Sequence, residues 1–306
     1  MGTSPAGRPT GSGLPFAPVA GFVLVWSSGY IAWPYGVEAM SPLMLVAARF
    51  VLAAVVALAL ARALRGPLRV TRRDAVRIGL SGFVLNGVQF GAMYLAFDAG
   101  LGATLASLMH SLSPVLTALL AAAFLGERLT RLQVLGFVIG VGGVLLVLGP
   151  DVDAAGGVVG IACGVVSVLG LSIGTLGQRW IGHAPDPLWS GTIQFGVAAP
   201  PLLALALVVE GTDVVRDPAA AGIALVYLAV VNSVLGLGLL GILVRAGGAG
   251  AAASVFFLMP PVTAVLAWMT LGETLGAREI AGLVITVVGV AAATRGSRPQ
   301  EELEPA

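Results

Sequence analysis

The sequence predicts an all-α membrane protein with ten transmembrane helices in two inverted five-helix repeats. Three observations support this prediction: an apolar composition, an internal repeat, and an uneven distribution of arginine between alternate loops. Of the 306 residues, 58% are hydrophobic and 10% are charged, and the mean hydropathy is +0.99, whereas about 25% of residues are charged in a soluble domain. The solvent for so much apolar surface must be lipid.

The repeat becomes visible when residues 114–144 are shifted by 146 positions onto residues 260–290. The Leu-Gly-Glu sequence at 125–127 then falls on the same sequence at 271–273. Upstream, Asn86 falls on Asn232 with the same shift, and Phe50 falls on Phe195 with a shift of 145. A hydrophobic chain made of two halves is typical of transporters whose substrate site lies between the halves near the membrane midplane.

Ten apolar segments approach the length of about 20 residues that a membrane helix needs. They lie at 17–35, 42–62, 76–97, 100–124, 132–149, 157–177, 187–209, 219–244, 249–271 and 278–294. Residues 1–15, rich in Gly, Pro, Ser and Thr, are predicted to form a disordered tail, and residues 296–306 an acidic tail. The first five-helix repeat then spans 16–150 and the second spans 151–295.

The arginines predict the orientation, because cytoplasmic loops carry an excess of basic residues. With the 62–77 loop in the cytoplasm, both termini are cytoplasmic and the protein is a multi-pass inner (plasma) membrane protein. Because each half holds an odd number of helices, the second half must insert upside down relative to the first. The cytoplasmic arginines are Arg8, Arg62, Arg65, Arg69, Arg72, Arg73, Arg77, Arg128, Arg131, Arg179, Arg245, Arg295 and Arg298, and the outer ones are Arg216 and Arg278.

Sequence motifs of the half-repeat carry a family resemblance. They are SPVLTALL at 113–120, LGERLT at 125–130 and the glycines at 136 and 143, with LGETL at 271–275 and the glycines at 282 and 289 in the second half. These residues, together with Trp26 and Arg49, resemble the EamA domain of the drug/metabolite transporter (DMT) superfamily over about residues 17–295. The resemblance implies ten helices, an inner-membrane location and transport of small metabolites, often the export of amino acids or drugs. The second half departs from the pattern, since Gln194 stands at the position of Arg49.

Arg49 is the one arginine inside a predicted span, seven residues after Pro42. An intramembrane arginine marks a functional site by default. Its planar guanidinium suits an anionic group on the solute, such as an amino-acid carboxylate. The structural alternative is an arginine that reaches toward the outer surface or pairs with Glu38 or Asp98.

His110 lies in the middle of the fourth span, beside the face formed by Ser107, Ser111 and Pro114. The proline frees backbone carbonyls that a cavity or a side chain must satisfy. We expect His110 to face a water-filled cavity shared by the first, third, fourth, sixth, eighth and ninth helices. A histidine there can also carry a proton, and the alternative is a hydrogen-bonded structural residue.

Polar residues at membrane depth in both halves complete the predicted cavity. Interhelical hydrogen bonds of about 0.6 kcal/mol each are the alternative explanation for the twins Asn86 and Asn232. An interfacial aromatic belt explains most tryptophans, Trp33 included. The predicted substrate-binding residues are Trp26, Ser27, Tyr30, Arg49, Asn86, Gln89, Tyr94, His110, Ser111, Ser172, Thr175, Gln194, Asn232 and Phe257. Glu127 and Glu273, at matching corners, are expected instead to cap the helices that follow them.

The leading function is a secondary transporter that moves small metabolites, exporting amino acids or related compounds, by alternating access. A multidrug or cation efflux carrier is the alternative, and an intramembrane enzyme, which needs paired acid and base groups, has the least support. We expect no catalytic residues, no cofactor, no metal and no nucleic-acid partner, since the sequence has no phosphate-binding Walker loop and a single cysteine, Cys163. The expected partners are a small-molecule substrate and the lipid bilayer, with the chain a monomer or a homodimer.

Overall fold

The structure is a computed structural model that describes residues 14–127, 129–150, 152–178, 180–181 and 186–295. Within these ranges the chain is almost entirely helical, with one isolated β-bridge between Met40 and Val215. The predicted tails, 1–15 and 296–306, lie outside the described residues apart from positions 14 and 15. The cytoplasmic placement of Arg8, Arg128, Arg179 and Arg298 also falls outside them.

Ten helical segments follow the ten predicted spans. They are α1 Phe16–Ala39, α2 Pro42–Arg65, α3 Arg72–Asp98, α4 Ala103–Leu125, α5 Arg131–Leu148, α6 Gly157–Gln178, α7 Pro187–Val209, α8 Pro218–Leu243, α9 Val255–Thr270 and α10 Ala277–Arg295. In the described part of the chain, nine of them are long and apolar enough to cross a membrane, and α9 is a shorter apolar helix. The prediction of an all-helical membrane fold is confirmed.

The ninth helix differs from the prediction, which placed it at 249–271. Helical backbone continues from α8 through Ser254, and α9 opens with a 3-10 turn at Val255–Leu258. The physical reason lies in the sequence of this stretch. Alanine at 249 and 251–253 has the highest helix propensity, and no proline interrupts the helix before Pro260.

Two helices contain π-helical turns at repeat-related positions, a feature that no sequence pattern predicted. They are Phe83–Val88 in α3 and Tyr227–Leu235 in α8. The repeat twins Asn86 and Asn232 lie inside them. Since π turns are rare and occur mostly at functional sites, their position points to the region between α3 and α8.

α5 packs along α10, and glycines make this approach possible. A Cβ atom at Gly143 would lie 2.6 Å from the carbonyl oxygen of Gly282, and one at Gly136 would overlap the carbonyl of Gly289. The later position on α5 therefore faces the earlier position on α10, so the two helices run antiparallel. Small residues at such contacts let membrane helices approach closely where no hydrophobic force drives them together.

Repeat twins also touch each other directly at two places. Thr286 Oγ1 in α10 donates to the carbonyl of Gly282 in its own helix at 2.8 Å and lies 3.3 Å from the carbonyl of its twin, Gly140 in α5. Phe50 in α2 stacks on its twin Phe195 in α7, with ring centroids 5.5 Å apart and planes 10° apart. Two equivalent residues meet in this way only close to an axis that exchanges the two halves.

Carboxylates cap helix starts across the two halves. Glu210, which follows α7, accepts hydrogen bonds from the amides of Leu43 and Met44 at the start of α2, at 2.8 and 2.9 Å. The end of α7 therefore lies at the start of α2, so this pair is antiparallel as well. Glu273 accepts from the first two amides of α4. The expectation that Glu273 caps the following helix is wrong, because the folded chain brings its carboxylate to α4 instead.

Candidate substrate cavity

A small cavity of about 30 Å³ lies between the two halves. Its wall is formed by α1, α3, α4, α6, α8 and α9, which are the six helices predicted from the sequence to form it. None of its side chains is an arginine or a carboxylate, and five are aromatic. The lining residues are Trp26, Tyr30, Trp33, Gln89, Phe90, Ser107, His110, Ser111, Leu171, Asn232, Phe256 and Met259.

Aromatic clusters close this cavity toward both ends of α1. Toward the start of α1, the rings of Phe22, Trp26 and Phe256 contact one another with centroids 5.2–5.6 Å apart. Toward its end, Trp33 packs edge-on against Phe90 and Phe97 of α3, at 5.1 and 5.5 Å. Ligand pockets usually measure roughly 300–1,000 Å³, so a metabolite requires this conformation to open.

His110 occupies the centre of a hydrogen-bonded chain that fixes its tautomer. Ser167 Oγ donates its one hydrogen to the carbonyl of Gln89 at 2.7 Å, so it must accept from His110 Nε2 at 2.9 Å. Nε2 therefore carries the ring hydrogen, and Nδ1 accepts from the hydroxyl of Tyr30 at 2.8 Å. This arrangement matches a neutral imidazole, with both nitrogens partnered and the ring edge in the cavity wall.

Arg49 lies behind the cavity wall rather than in it, with a side chain only 2% exposed. Its Nε donates to Ser233 Oγ at 3.0 Å, Nη1 to Tyr94 Oη at 3.2 Å and Nη2 to Asn232 Oδ1 at 2.8 Å. The ring of Phe90, which does line the cavity, lies 4.5 Å from the guanidinium carbon. The guanidinium is therefore held entirely by neutral groups and aromatic faces.

Among the described residues, Arg49 is neither paired with a carboxylate nor in direct contact with the cavity. Within the described ranges Arg49 forms no ion pair, so neither Glu38 nor Asp98 neutralises it. Direct contact of Arg49 with a solute is not available in this conformation, because Phe90 and Asn232 stand between it and the cavity. The charge nevertheless lies one side-chain layer away.

The residue that replaces Arg49 in the second half forms the equivalent contact. Gln194 Oε1 accepts from Nδ2 of Asn86 at 3.2 Å, just as Arg49 donates to Asn232, the repeat twin of Asn86. Each half thus extends a polar side chain from its second helix to the π turn of the other half. Asn86 and Gln194 form their inter-half bond outside the cavity wall, and Tyr94 bonds Arg49 within the first half.

Six of the predicted site residues line the cavity, namely Trp26, Tyr30, Gln89, His110, Ser111 and Asn232. Ser27 is buried beside it and donates to the carbonyl of Met259 at 3.4 Å. Ser172 donates to the carbonyl of Val168 in its own helix, as serines in helices often do.

Two predicted site residues lie away from the cavity. Thr175 is exposed and donates to the carbonyl of Leu171. Phe257 packs against the hydrophobic core, whereas its neighbour Phe256 lines the cavity. The 3-10 turn at Val255–Leu258 turns the chain more tightly than an α-helix and directs Phe256, instead of Phe257, to the cavity.

Sequence reasoning missed Trp33, which it assigned to the membrane interface. Trp33 is 4% exposed, lines the cavity, and its Nε1 hydrogen finds no acceptor among the described residues. The sequence spacing indicates its position, because Trp26, Tyr30 and Trp33 follow the i, i+4, i+7 pattern that places residues on one helix face. Ser107 also lines the cavity, as does Phe90.

The sequence profile of the EamA-like transporter family matches residues 14–149 and again residues 158–295. The chain belongs to the EamA-like transporter family. The two matches coincide with the two halves whose twin helices pack together. Together with the apolar helices, membership makes the protein a multi-pass membrane transporter of small metabolites.

Several relatives cover nearly the whole chain. A "Probable amino-acid metabolite efflux pump" of Salmonella typhimurium is 27% identical over 280 residues, which are 88% of this chain and 90% of the relative. A "Probable terminal-alkyne amino-acid exporter" of Streptantibioticus cattleyicolor is 30% identical over 88% of this chain and 89% of its own. The "Uncharacterized inner membrane transporter YedA" of Escherichia coli is 26% identical over 92% and 90%.

A solved crystal structure shares the fold. It covers 91% of this chain and 96% of its own, with a TM-score of 0.63 and 22% sequence identity. At this identity the likeness concerns the fold alone.

Proposed function

We propose that this protein exports amino acids or closely related zwitterions across the inner membrane by alternating access between its two halves. The observation that carries the proposal is the closed cavity at the junction of the halves, which is rich in aromatic rings, free of charged side chains and adjacent to Arg49. Its relatives named as amino-acid efflux pumps and exporters support the same class of cargo.

Alternating access requires two halves of opposite orientation, and we infer that residues 16–150 and 151–295 are inverted repeats. The antiparallel packing of α5 on α10 and of α2 on α7 supports this inference, because each pair joins a helix to its own repeat twin. The arginine distribution supports cytoplasmic termini. In this topology the aromatic cluster of Phe22, Trp26 and Phe256 closes the inner side, and Trp33 with Phe97 closes the outer side.

The positive charge of Arg49, which lies behind the cavity wall, favours a zwitterion over a lipophilic cation as the solute. A unit charge placed in the cavity roughly 8 Å from the Arg49 guanidinium interacts with it by about 2 kcal/mol at an effective dielectric constant of about 20. The guanidinium stabilises a carboxylate near Phe90 and Asn232 and opposes a cation there. The aromatic rings on the opposite wall, such as Trp26 and Phe256, suit an ammonium group through cation–π attraction.

Hydrogen-bonding groups for the solute are available in the wall. Trp33 Nε1 forms no hydrogen bond with other described residues, which leaves a donor for a carboxylate, and the side chain of Gln89 lines the same cavity. Ser107 and Ser111 donate their hydrogens to carbonyls of α4 at 2.8 and 2.6 Å. Their oxygen lone pairs remain as acceptors for an ammonium group.

Arg49 and His110 have supporting roles in this proposal. Arg49 positions Asn232 through the Nη2 bond and supplies the positive potential without touching the solute. His110 is the candidate for proton coupling, because a second proton on Nδ1 would force Tyr30 to change from donor to acceptor. Tyr30 lies in the cavity wall, so this change alters the site that the solute occupies.

The proposal is tested by flux through purified protein in liposomes. Vesicles are loaded with radiolabelled amino acids, organic acids or lipophilic cations, and release is followed with and without an imposed proton gradient. We expect release of amino acids well above that of protein-free vesicles. Release of lipophilic cations without any amino acid would favour the multidrug alternative and contradict the proposal.

A further inference from the structure

A second cavity lies at the end of the molecule where α4 begins, α5 ends and α10 begins. Its volume is about 300 Å³, ten times that of the central cavity, and it opens to the surface. In the proposed topology this end faces outward. Residues of both halves line it, including Thr104 from the first half and Glu273, Arg278 and Glu279 from the second.

Thr104 supplies a hydroxyl group that no described residue uses. The residue is 6% exposed, and its Oγ1 has no hydrogen-bond partner among the described residues although it lines this cleft. Leaving a buried hydroxyl without a partner costs about 1–3 kcal/mol. A hydroxyl in such a position is ready to bond a molecule that enters the cleft.

Among the described residues, the charged side chains of the cleft are two carboxylates, Glu273 and Glu279, and one guanidinium, Arg278. Glu273 accepts from the amides of Ala103 and Thr104, the latter at 3.1 Å, and a carboxylate retains further lone pairs after two such bonds. Arg278 donates Nε and Nη2 to Glu279 Oε1, at 3.0 and 2.9 Å. Arg278 Nη1, which lies beside Gly149, forms no hydrogen bond with a described residue.

The net field of the cleft suits a molecule that carries both signs of charge. Glu273 lies at the positive N-terminus of α4, and Glu279 lies in the first turn of α10, each of which contributes about half a positive charge. These helix ends and Arg278 together offset the two carboxylates. An anion or a cation alone would meet a repelling group in the cleft, whereas a zwitterion meets a partner at each end.

We propose that this cleft is a second, outer binding site for the exported zwitterion, which rests on the transport function proposed above. The carboxylate of the solute bonds the Thr104 hydroxyl and Arg278 Nη1, and its ammonium group bonds Glu273. A molecule leaving the uncharged central cavity is received by charged partners before it reaches the solvent. The headgroup of phosphatidylethanolamine offers the same pair of charges, so the experiment must separate the two sources.

The test is equilibrium binding of radiolabelled L-leucine and L-serine to protein in nanodiscs of phosphatidylcholine, repeated with phosphatidylethanolamine added. We expect two sites per chain in the wild type. Thr104→Val, which removes the hydroxyl at nearly constant volume, should weaken the second site by about 5–10-fold, the equivalent of one hydrogen bond. Thr263→Val is the matched control, because Thr263 is also fully buried and its Oγ1 is also unpartnered, away from this cleft.

Each outcome has a distinct meaning. Two sites, with the second weakened about 5–10-fold in Thr104→Val and unchanged in Thr263→Val, support the outer site, whereas a second site that Thr104→Val leaves unchanged overturns the assigned contact. One site in the wild type, unchanged in Thr104→Val, overturns the outer site and leaves the proposed cargo intact. Binding of neither amino acid overturns both. A second site that phosphatidylethanolamine abolishes assigns the cleft to lipid and overturns its role in export.

Discussion

Gly143→Ala tests the close contact between α5 of the first half and α10 of the second. A Cβ atom there would lie 2.6 Å from both the carbonyl oxygen of Gly282 and the amide nitrogen of Thr286. Both are backbone atoms, which cannot turn away as a side chain could. The neighbouring position provides the control, since a Cβ atom at Gly142 would meet no atom within 4 Å.

The magnitude follows from these distances. Ordinary contact of a Cβ atom begins at 3.4 Å, so α5 and α10 must separate by about 0.8 Å near Gly143. A gap of that size forfeits about a quarter to a half of the dispersion energy of each contact, and overpacking of this kind costs about 1–3 kcal/mol. Gly142→Ala replaces a helical glycine, which loses more backbone freedom on folding than alanine does, and should stabilise the protein by about 0.5–1 kcal/mol.

The assay is unfolding of the purified variants in mixed micelles by dodecyl sulfate, followed by circular dichroism. We expect the free energy of unfolding of Gly143→Ala to be about 1–3 kcal/mol lower than that of Gly142→Ala, because both variants share the gain of replacing a helical glycine and differ only in the overpacking. Equal stability of the two variants would refute the close antiparallel contact, and with it the argument that glycine is required there.

Three further predictions concern the cavity and the topology. In Gly29→Ala the new Cβ atom would collide with the side chain of Asn232, so we expect flux to fall at least 10-fold. Gly21→Ala is the control and should transport normally, because a Cβ atom there would lie 3.7 Å from its nearest neighbour. Equal flux of the two variants would contradict the role of Asn232. His110→Gln should flatten the dependence of flux on the proton gradient, and an unchanged dependence would remove His110 from coupling. Val70→Cys on a Cys163→Ser background should react with an impermeant thiol reagent only in inside-out vesicles, and labelling of intact cells from outside would reverse the proposed orientation.

The fold was largely predictable because its determinants are periodic and redundant. Apolar segments of membrane length occur again and again, and the repeat doubles every argument drawn from them. The exception is the start of α9, where an alanine-rich stretch supports helix on both sides of the predicted boundary. Hydropathy cannot locate a boundary between two equally apolar segments, so only the packing of Val255–Leu258 determines it.

The cavity was predictable at the level of helices and less so at the level of side chains. His110 and Asn232 were found because a polar group at membrane depth needs a reason to be there. Trp33 was missed because its type alone suggests the membrane interface, and Arg49 was expected in the wall because its charge alone suggests a ligand. Which side chain forms the wall and which supports it depends on the rotation of α1 against α3, which no single-sequence pattern encodes.

The twin contacts were not predicted either, although the repeat itself was. The alignment shows that Gln194 replaces Arg49 and that Asn86 matches Asn232. It does not show that each pair bonds across the halves, because a sequence repeat is silent about which helices become neighbours. The π turns around Asn86 and Asn232 are equally hidden, since they arise from one extra residue accommodated within a helix under packing forces.

The central claim, that the solute passes through the cavity beside His110, is tested most directly by blocking that cavity after folding. Ser107→Cys on a Cys163→Ser background is reconstituted in liposomes, treated with a methanethiosulfonate reagent, and assayed for amino-acid release. We predict that labelling abolishes release and that the transported amino acid slows the labelling, whereas labelling of Thr175→Cys on the exposed face of α6 leaves release unchanged. Full release from Ser107→Cys protein that is completely labelled would contradict the account.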